Sequence, residues 1–409
     1  MKKFLVFLFS IFFIAGCSTN LNTNSTNNSN VENNNENETE IDDIEKKVND
    51  TLENMTLEEK IGQMMIVYYT SSTMDNTLKS ALTDVKPGGF ILFKDNITTY
   101  ENTLKFIKDI KSTSDIPMFI SIDQEGGNVQ RLLSLRDKKV SNIPYMSEVG
   151  ETNDTALAEE VGKVIAEELR VFGINMDFAP VIDVYSNEDN KVIGKRAFGS
   201  DSKLVSRMGI ALAKGLLANG VIPVYKHFPG HGNTAVDSHS ALPIVDKTKE
   251  ELLSLDLVPF KDAIESGAEV IMIGHLAVPK ITGNNIPASL SKTLITDFLK
   301  GEMGYNGLVI TDALNMGALT NYYSQEEIYV KAIEAGVDLL LMPSSSRKAL
   351  ATIKEAVEEG IITEEQINES VRKILTLKYK YIEEDYNNYL PESTLNSNEH
   401  QEILNKIEK

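Results

Sequence analysis

The chain has one cysteine and no tryptophan in 409 residues. A single cysteine excludes an internal disulfide framework and any cysteine-rich zinc site. Positive charge is scarce: 40 Lys and Arg stand against 60 Asp and Glu, a formal net charge of −20. Such a surface repels phosphate backbones, which argues against nucleic acid as a partner. The apolar run at the N-terminus, residues 4–13, is too short for an ordinary membrane span. Hydrophobic content of 42% and charged content of 24% are those of a globular chain with a full core. The length suits one large α/β domain or two smaller ones.

Residues 1–16 read as a signal peptide, with Lys2 and Lys3 ahead of the apolar run. Ile14-Ala15-Gly16-Cys17 resembles a bacterial lipoprotein box. That resemblance implies cleavage before Cys17, a lipid on its sulfur and attachment at the outer face of the cell membrane. The alternative is a plain secretory signal with an incidental cysteine. Residues 17–41 are rich in Asn, Ser, Thr and Glu and nearly free of apolar side chains. They bury too little surface to offset their ordering entropy and read as a disordered tether.

From residue 42 the composition turns globular. Thr56-Leu57-Glu58-Glu59 is a helix-start signature. Short apolar runs follow at 64–69, 89–93, 118–123, 175–184, 222–226, 270–275, 307–312 and 338–342. Amphipathic helical patterns lie between them at 100–111, 155–172, 202–219, 249–266, 294–302, 326–335 and 347–359. Such alternation argues for a parallel (β/α)8 TIM barrel, a single catalytic domain over 42–385. The competing fold is an open doubly wound sheet, but no glycine-rich phosphate loop follows the first strand. A last helix is expected over 363–381. Residues 386–409 read as a polar C-terminal tail.

Polar residues gather where the strands end, and in a barrel those ends share one mouth. The densest stretch is Lys226-His227-Phe228-Pro229-Gly230-His231-Gly232, followed by Asp237-Ser238-His239. The stretch as a whole holds three of the chain's five histidines, His227, His231 and His239, within one loop. Asp237 and His239 are two residues apart, so a turn lets the carboxylate orient the imidazole for general acid and base work. Asp123 and Arg131 follow the third strand, Asp183, Asn187, Asn190 and Arg196 the fourth, His275 the sixth and Asp312 the seventh. Carboxylates mixed with Lys, Arg and His suit the vicinal hydroxyls of a sugar. Singly, each has a plainer explanation: a turn cap for Asp123, surface pairing for Arg131 and Arg196, a helix cap for Asp312, a packed side chain for His275, loop shaping for His231.

At these residues the sequence resembles glycoside hydrolase family 3, in particular its β-N-acetylhexosaminidases of the NagZ type. The resemblance spans about 52–381, and the Lys-His-Phe-Pro-Gly-His-Gly and Asp-Ser-His motifs are its most specific part. It implies Asp312 as catalytic nucleophile, His239 as acid/base and Asp237 as the residue orienting it. It implies Asp123, Arg131, Arg196, Lys226 and His227 as substrate-binding contacts around a terminal N-acetylglucosamine. It further implies a retaining mechanism, no metal and no cofactor, a monomer, and peptidoglycan-derived N-acetylglucosamine–N-acetylmuramic acid fragments as substrate. A mobile loop is implied too, with Gly230 and Gly232 permitting its swing. Asn128, Tyr185 and Lys191 depart from the family, where Arg, Asn and Pro are common.

Three other functions compete. One is a phosphorylase using the same site, since a neutral imidazole repels phosphate less than a carboxylate does. Another is a metal-dependent hydrolase with His227, His231, His239 and Asp237 as ligands, which Pro229-Gly230 disfavours by breaking any helix there. The third is a lipoprotein that binds wall glycan without cleaving it.

Overall fold

Apolar triplets and quartets become strands because both of their faces are covered, the pattern of parallel sheets flanked by helices. In the computed structural model, residues 29–234, 238 and 241–407 are described, with side chains from residue 41 on. Cys17, Asp237 and His239 lie outside the described residues. The chain divides into two units, 1–43 and 44–409.

Eleven short strands are described: β1 (Met65–Val67), β2 (Gly89–Leu92), β3 (Phe119–Ile122), β4 (Gln124–Gly126), β5 (Val129–Gln130), β6 (Met176–Asp177), β7 (Ile222–Pro223), β8 (Tyr225–Phe228), β9 (Val270–Ile273), β10 (Leu308–Thr311) and β11 (Leu340–Leu341). A six-stranded parallel sheet runs β11-β1-β2-β3-β6-β7, and a three-stranded parallel sheet runs β10-β9-β8. The first is a half-barrel wall built on alternating strands and helices. β4 and β5 form a separate antiparallel hairpin immediately after β3.

The strand expected over 175–184 shrinks to Met176–Asp177. Pro180 lacks an N–H for a continuous ladder, and the Val224 amide is shared between the Asp177 and Ala179 carbonyls, at 3.0 and 2.9 Å. An isolated bridge, Val181 to Lys226, resumes the pairing.

The helices start where local chemistry says they should. Thr56 closes a capping box: its amide donates to Glu59 Oε2 at 2.9 Å and its hydroxyl accepts from the Glu59 amide at 3.3 Å. The helix expected over 249–266 is instead two, Lys249–Ser254 and Val258–Glu265, with Pro259 in the first turn of the second. Helix Ser29–Asn54 begins inside the stretch whose composition reads as a tether. Val48 and Leu52 are buried, and extending a formed helix costs less than starting one.

The C-terminal residues also differ from the loose tail expected of them. Leu395, Ile403 and Leu404 are buried in the core, and helix Asn398–Leu404 packs on helix Thr155–Val171. Few apolar residues are needed because His400 adds polar anchoring to Glu167 and Glu168, at 2.8 and 3.2 Å.

Candidate active site

The carboxyl ends of the strands converge on a cavity of about 180 Å³, whose lining includes Asp123, Arg131, Arg196, Lys226, His227 and Asp312. Six side chains from four separate strand ends thus reach one space. β3 delivers Asp123 directly, and the β4–β5 hairpin brings Arg131 back beside it. Arg131 Nη2 lies 3.1 Å from Asp123 Oδ2. Lys226 Nζ lies 3.0 Å from Asp123 Oδ1 and 2.6 Å from Glu125 Oε1.

Glu125 is the centre of this cluster and was absent from the residues singled out above. Arg196 grips it twice, Nε to Oε2 at 2.7 Å and Nη2 to Oε1 at 2.8 Å. Its place two residues after Asp123 was the available signal. Burial alone would raise the Glu125 carboxyl, but Arg196 and Lys226 outweigh it and hold the group ionised, well below the usual carboxylate range. Burial would likewise lower the Lys226 ammonium, but Glu125 and Asp123 keep it above its ordinary value. Both ions are therefore locked as charged partners.

A second network sets the histidines. Asp183 is fully buried; its Oδ2 takes His227 Nδ1 at 2.7 Å. Its Oδ1 accepts the His231 amide at 2.6 Å. Burial would raise the Asp183 carboxyl, and His227 and His231 reverse that and lower it. The His231 ring faces Thr234 Oγ1 through Nδ1 at 2.7 Å and Ser238 Oγ through Nε2 at 3.4 Å. Burial, reinforced by neighbouring His227, pushes its pKa down, so His231 is neutral at pH 7. Asn190 and Asn187 hold the same loop, donating to the carbonyls of His231 at 2.8 Å and Asn233 at 3.0 Å.

Gly230 and Gly232 serve close approach in this arrangement. Gly230 has φ +120°, and a Cβ on Gly232 would lie 1.8 Å from the Val184 carbonyl oxygen. Glycine is required there whether or not the loop swings.

Asp312 sits just past β10, partly open to the cavity. The Ala313 amide donates to its Oδ1 at 2.8 Å. Burial would raise its carboxyl, but His275, His227, that amide and Lys226 together leave it lowered. An ionised carboxylate in a confined cavity is a competent nucleophile or cation stabiliser. His275 is buried and bonds the Ala313 carbonyl through Nε2 at 2.9 Å, while Nδ1 faces Ser289 Oγ at 2.8 Å. It thereby supports the segment that carries Asp312. Ser238, the residue between Asp237 and His239 in sequence, lines the same cavity. Beneath the cluster lies Asp177, buried, with Oδ1 accepting the Gln124 amide at 2.9 Å and Oδ2 without a hydrogen-bond partner among the described residues.

Residues 56–377 match the model of the glycosyl hydrolase family 3 N-terminal domain. Beta-hexosaminidase A of Pseudoalteromonas piscicida is 31% identical, across 85% of this chain and 65% of its own length. Beta-hexosaminidase LpqI of Mycobacterium tuberculosis is 31% identical, across 78% of this chain and 82% of its own length. A glycoside hydrolase family 3 β-N-acetylglucosaminidase of a Paenibacillus species superposes with a TM-score of 0.81 at 36% identity, covering 86% of this chain and 68% of that one.

Proposed function

Because the chain belongs to glycosyl hydrolase family 3, we propose that it is a retaining exo-β-N-acetylhexosaminidase that removes terminal N-acetylglucosamine from peptidoglycan-type glycans. The observation that carries this reading is the convergence of Asp312 with Asp123, Arg131, Arg196, Lys226 and His227 on one cavity. We also take the two parallel sheets as arcs of one closed (β/α)8 barrel. Val224 alone separates β7 from β8 in the chain. The Ile310–Leu339 bridge and the Thr311 amide on the Leu339 carbonyl, at 3.1 Å, link β10 to the start of β11.

In the first step an Asp312 carboxylate oxygen attacks the anomeric carbon. The bond to the leaving oxygen breaks as His239 delivers a proton to it, giving a glycosyl–Asp312 ester. In the second step His239, now neutral, takes a proton from water. The hydroxide attacks the same carbon, the ester bond breaks and Asp312 is released as carboxylate. Two inversions keep the β configuration. Asp237 fixes the imidazole tautomer and stabilises the imidazolium, as in other carboxylate–histidine pairs. Asp123, Lys226 and Arg131 meet the ring hydroxyls, and the Glu125–Arg196 pair holds that set in place.

The setting proposed for this activity is the outer face of the cell membrane, with the chain anchored by lipid on Cys17. A surface enzyme there meets wall glycan directly, and the relatives named beta-hexosaminidase support a hexosaminide as the bond cleaved.

The test is turnover of p-nitrophenyl N-acetyl-β-glucosaminide, followed by trapping with a 5-fluoro N-acetylglucosaminyl donor and peptide mapping. Labelling on Asp312 is expected. A label on any other residue would take the nucleophile role from it.

A further inference from the structure

The catalytic cavity is small. At about 180 Å³ it falls below the roughly 300–1,000 Å³ of most ligand pockets, room for little more than one pyranose ring. The rest of a glycan must then lie along the neighbouring rim. Among the described residues, that rim holds a second cavity of about 360 Å³, between the segment leaving β1, residues 68–71, and the segment leaving β11, residues 343–347. Residues of helix Asn76–Val85 complete its lining. Both segments leave the carboxyl ends of their strands, the same ends that carry Asp123, Lys226 and Asp312.

The two cavities share walls. Phe93 lines the catalytic one, and its ring meets Tyr68 of the second edge-on, with centroids 4.9 Å apart. The Arg131 guanidinium lies 5.2 Å from the centroid of the same Phe93 ring. Met342 lines the catalytic cavity, and the next residue, Pro343, lines the second. Met342 is held at φ +52°, a region that side chains with a Cβ rarely occupy. Its amide is tied to the Ile66 carbonyl at 2.8 Å. Backbone strain of this kind persists where the surroundings over-determine it, and it gathers at binding sites. Here it turns the chain from one cavity to the other.

The lining has the chemistry of a sugar site. Tyr68 and Tyr69 bring aromatic rings of the kind that pack on the apolar side of a pyranose, while Thr70, Ser344 and Asp75, whose Oδ1 also accepts the Leu78 amide at 2.8 Å, bring hydroxyl and carboxylate groups suited to its hydroxyls. We propose that this cavity is a second sugar subsite, which holds the pyranose ring on the leaving-group side of the bond cleaved at Asp312. The proposal rests on the hexosaminidase reading above.

The test compares kcat/KM on N,N′-diacetylchitobiose with kcat/KM on p-nitrophenyl N-acetyl-β-glucosaminide, in the full chain. Two variants probe the cavity from opposite sides: Thr77→Trp fills it and Tyr68→Ala removes an aromatic face. The ratio of chitobiose to aryl turnover is expected to fall about tenfold in each, a loss of about 1.4 kcal/mol in transition-state binding. An unchanged ratio in both variants overturns the subsite. Equal losses on both substrates also overturn it, because the residues would then serve the catalytic cavity or the fold. Wild-type turnover of the aryl substrate tests the underlying activity separately. Its absence would remove that reading and the subsite with it.

Discussion

Arg196 holds Glu125 through two parallel hydrogen bonds, 2.7 and 2.8 Å long, with Lys226 closing on the same carboxylate at 2.6 Å. The Glu125 and Lys226 side chains are only 2% and 3% exposed. In such a place the carboxylate is the counter-ion on which two cations depend. Glu125→Ala takes from Arg196 its bidentate partner and leaves Lys226 with Asp123 alone, and breaking a buried pair costs about 3–5 kcal/mol. The expected outcome is a large drop in melting temperature together with loss of turnover. Glu125→Gln keeps the shape and loses the charge, so it should fall between wild type and Ala. Thermal unfolding of the three proteins checks the order.

Asp312 is poised differently, since its neighbours lower its pKa without a direct lysine or arginine bridge among the described contacts. Asp312→Asn should retain the fold and the melting temperature while kcat falls by about 10³ or more, at least ~4 kcal/mol of barrier. A variant that still turns over the aryl glycoside at the wild-type rate would end the nucleophile assignment. Steady-state kinetics alongside thermal unfolding separates loss of chemistry from loss of fold.

How far the sequence alone leads depends on what stabilises each part. β2, β3, β9 and β10 were legible because a strand buried on both faces is nearly continuous in apolar residues, as Val270–Ile273 is. Asp123, Arg131, Arg196, Lys226, His227 and Asp312 were legible because chemistry collects at strand ends. Glu125 was passed over because its importance lies in partners far along the chain, Arg196 and Lys226, and its place two residues after Asp123 was the one local clue. Asp183 reads as one polar residue among several until His227 and His231 are seen on it. The docked C-terminus escaped for the same reason: a polar tail gives no periodic signal when three apolar residues and one histidine do the anchoring.

Asp177 offers a pH experiment under the cavity. Burial pushes its carboxyl up to about 8, and the nearby Asp123 and Glu125 charges add to the rise against the pull of the Gln124 amide and Lys226. The group is therefore protonated in the fold at neutral pH, while the unfolded chain ionises near the ordinary value of about 3.9. Between those two values the unfolded state binds fewer protons, so stability contributed below pH 4 is lost as pH rises toward 8. Asp177→Asn mimics the neutral form. Its stability should decline less over that window than that of wild type, which urea unfolding at stepped pH measures. Parallel curves for the two proteins would assign the slope to other groups.

His400 should show a second, spatially separate pH effect. Its ring sits between Glu167, 2.8 Å from Nε2, and Glu168, 3.2 Å from Nδ1. Burial would lower its pKa, but the two carboxylates outweigh that and raise it. Lys163 faces the same cluster through Glu167 and Glu399. A raised histidine stabilises the fold fully below its unfolded value of about 6.5 and loses that contribution as pH climbs through the folded value. Hydrogen bonds to charged groups are worth about 1.5–3 kcal/mol, enough to set whether helix Asn398–Leu404 stays docked. Hydrogen exchange across that helix should therefore quicken between pH 6 and the alkaline range by more than the chemical rate alone requires. In His400→Ala the helix should exchange fast at every pH, with no step. If the variant instead keeps wild-type protection at pH 6, the apolar residues Leu395, Ile403 and Leu404 hold the C-terminus without help from the ion pair.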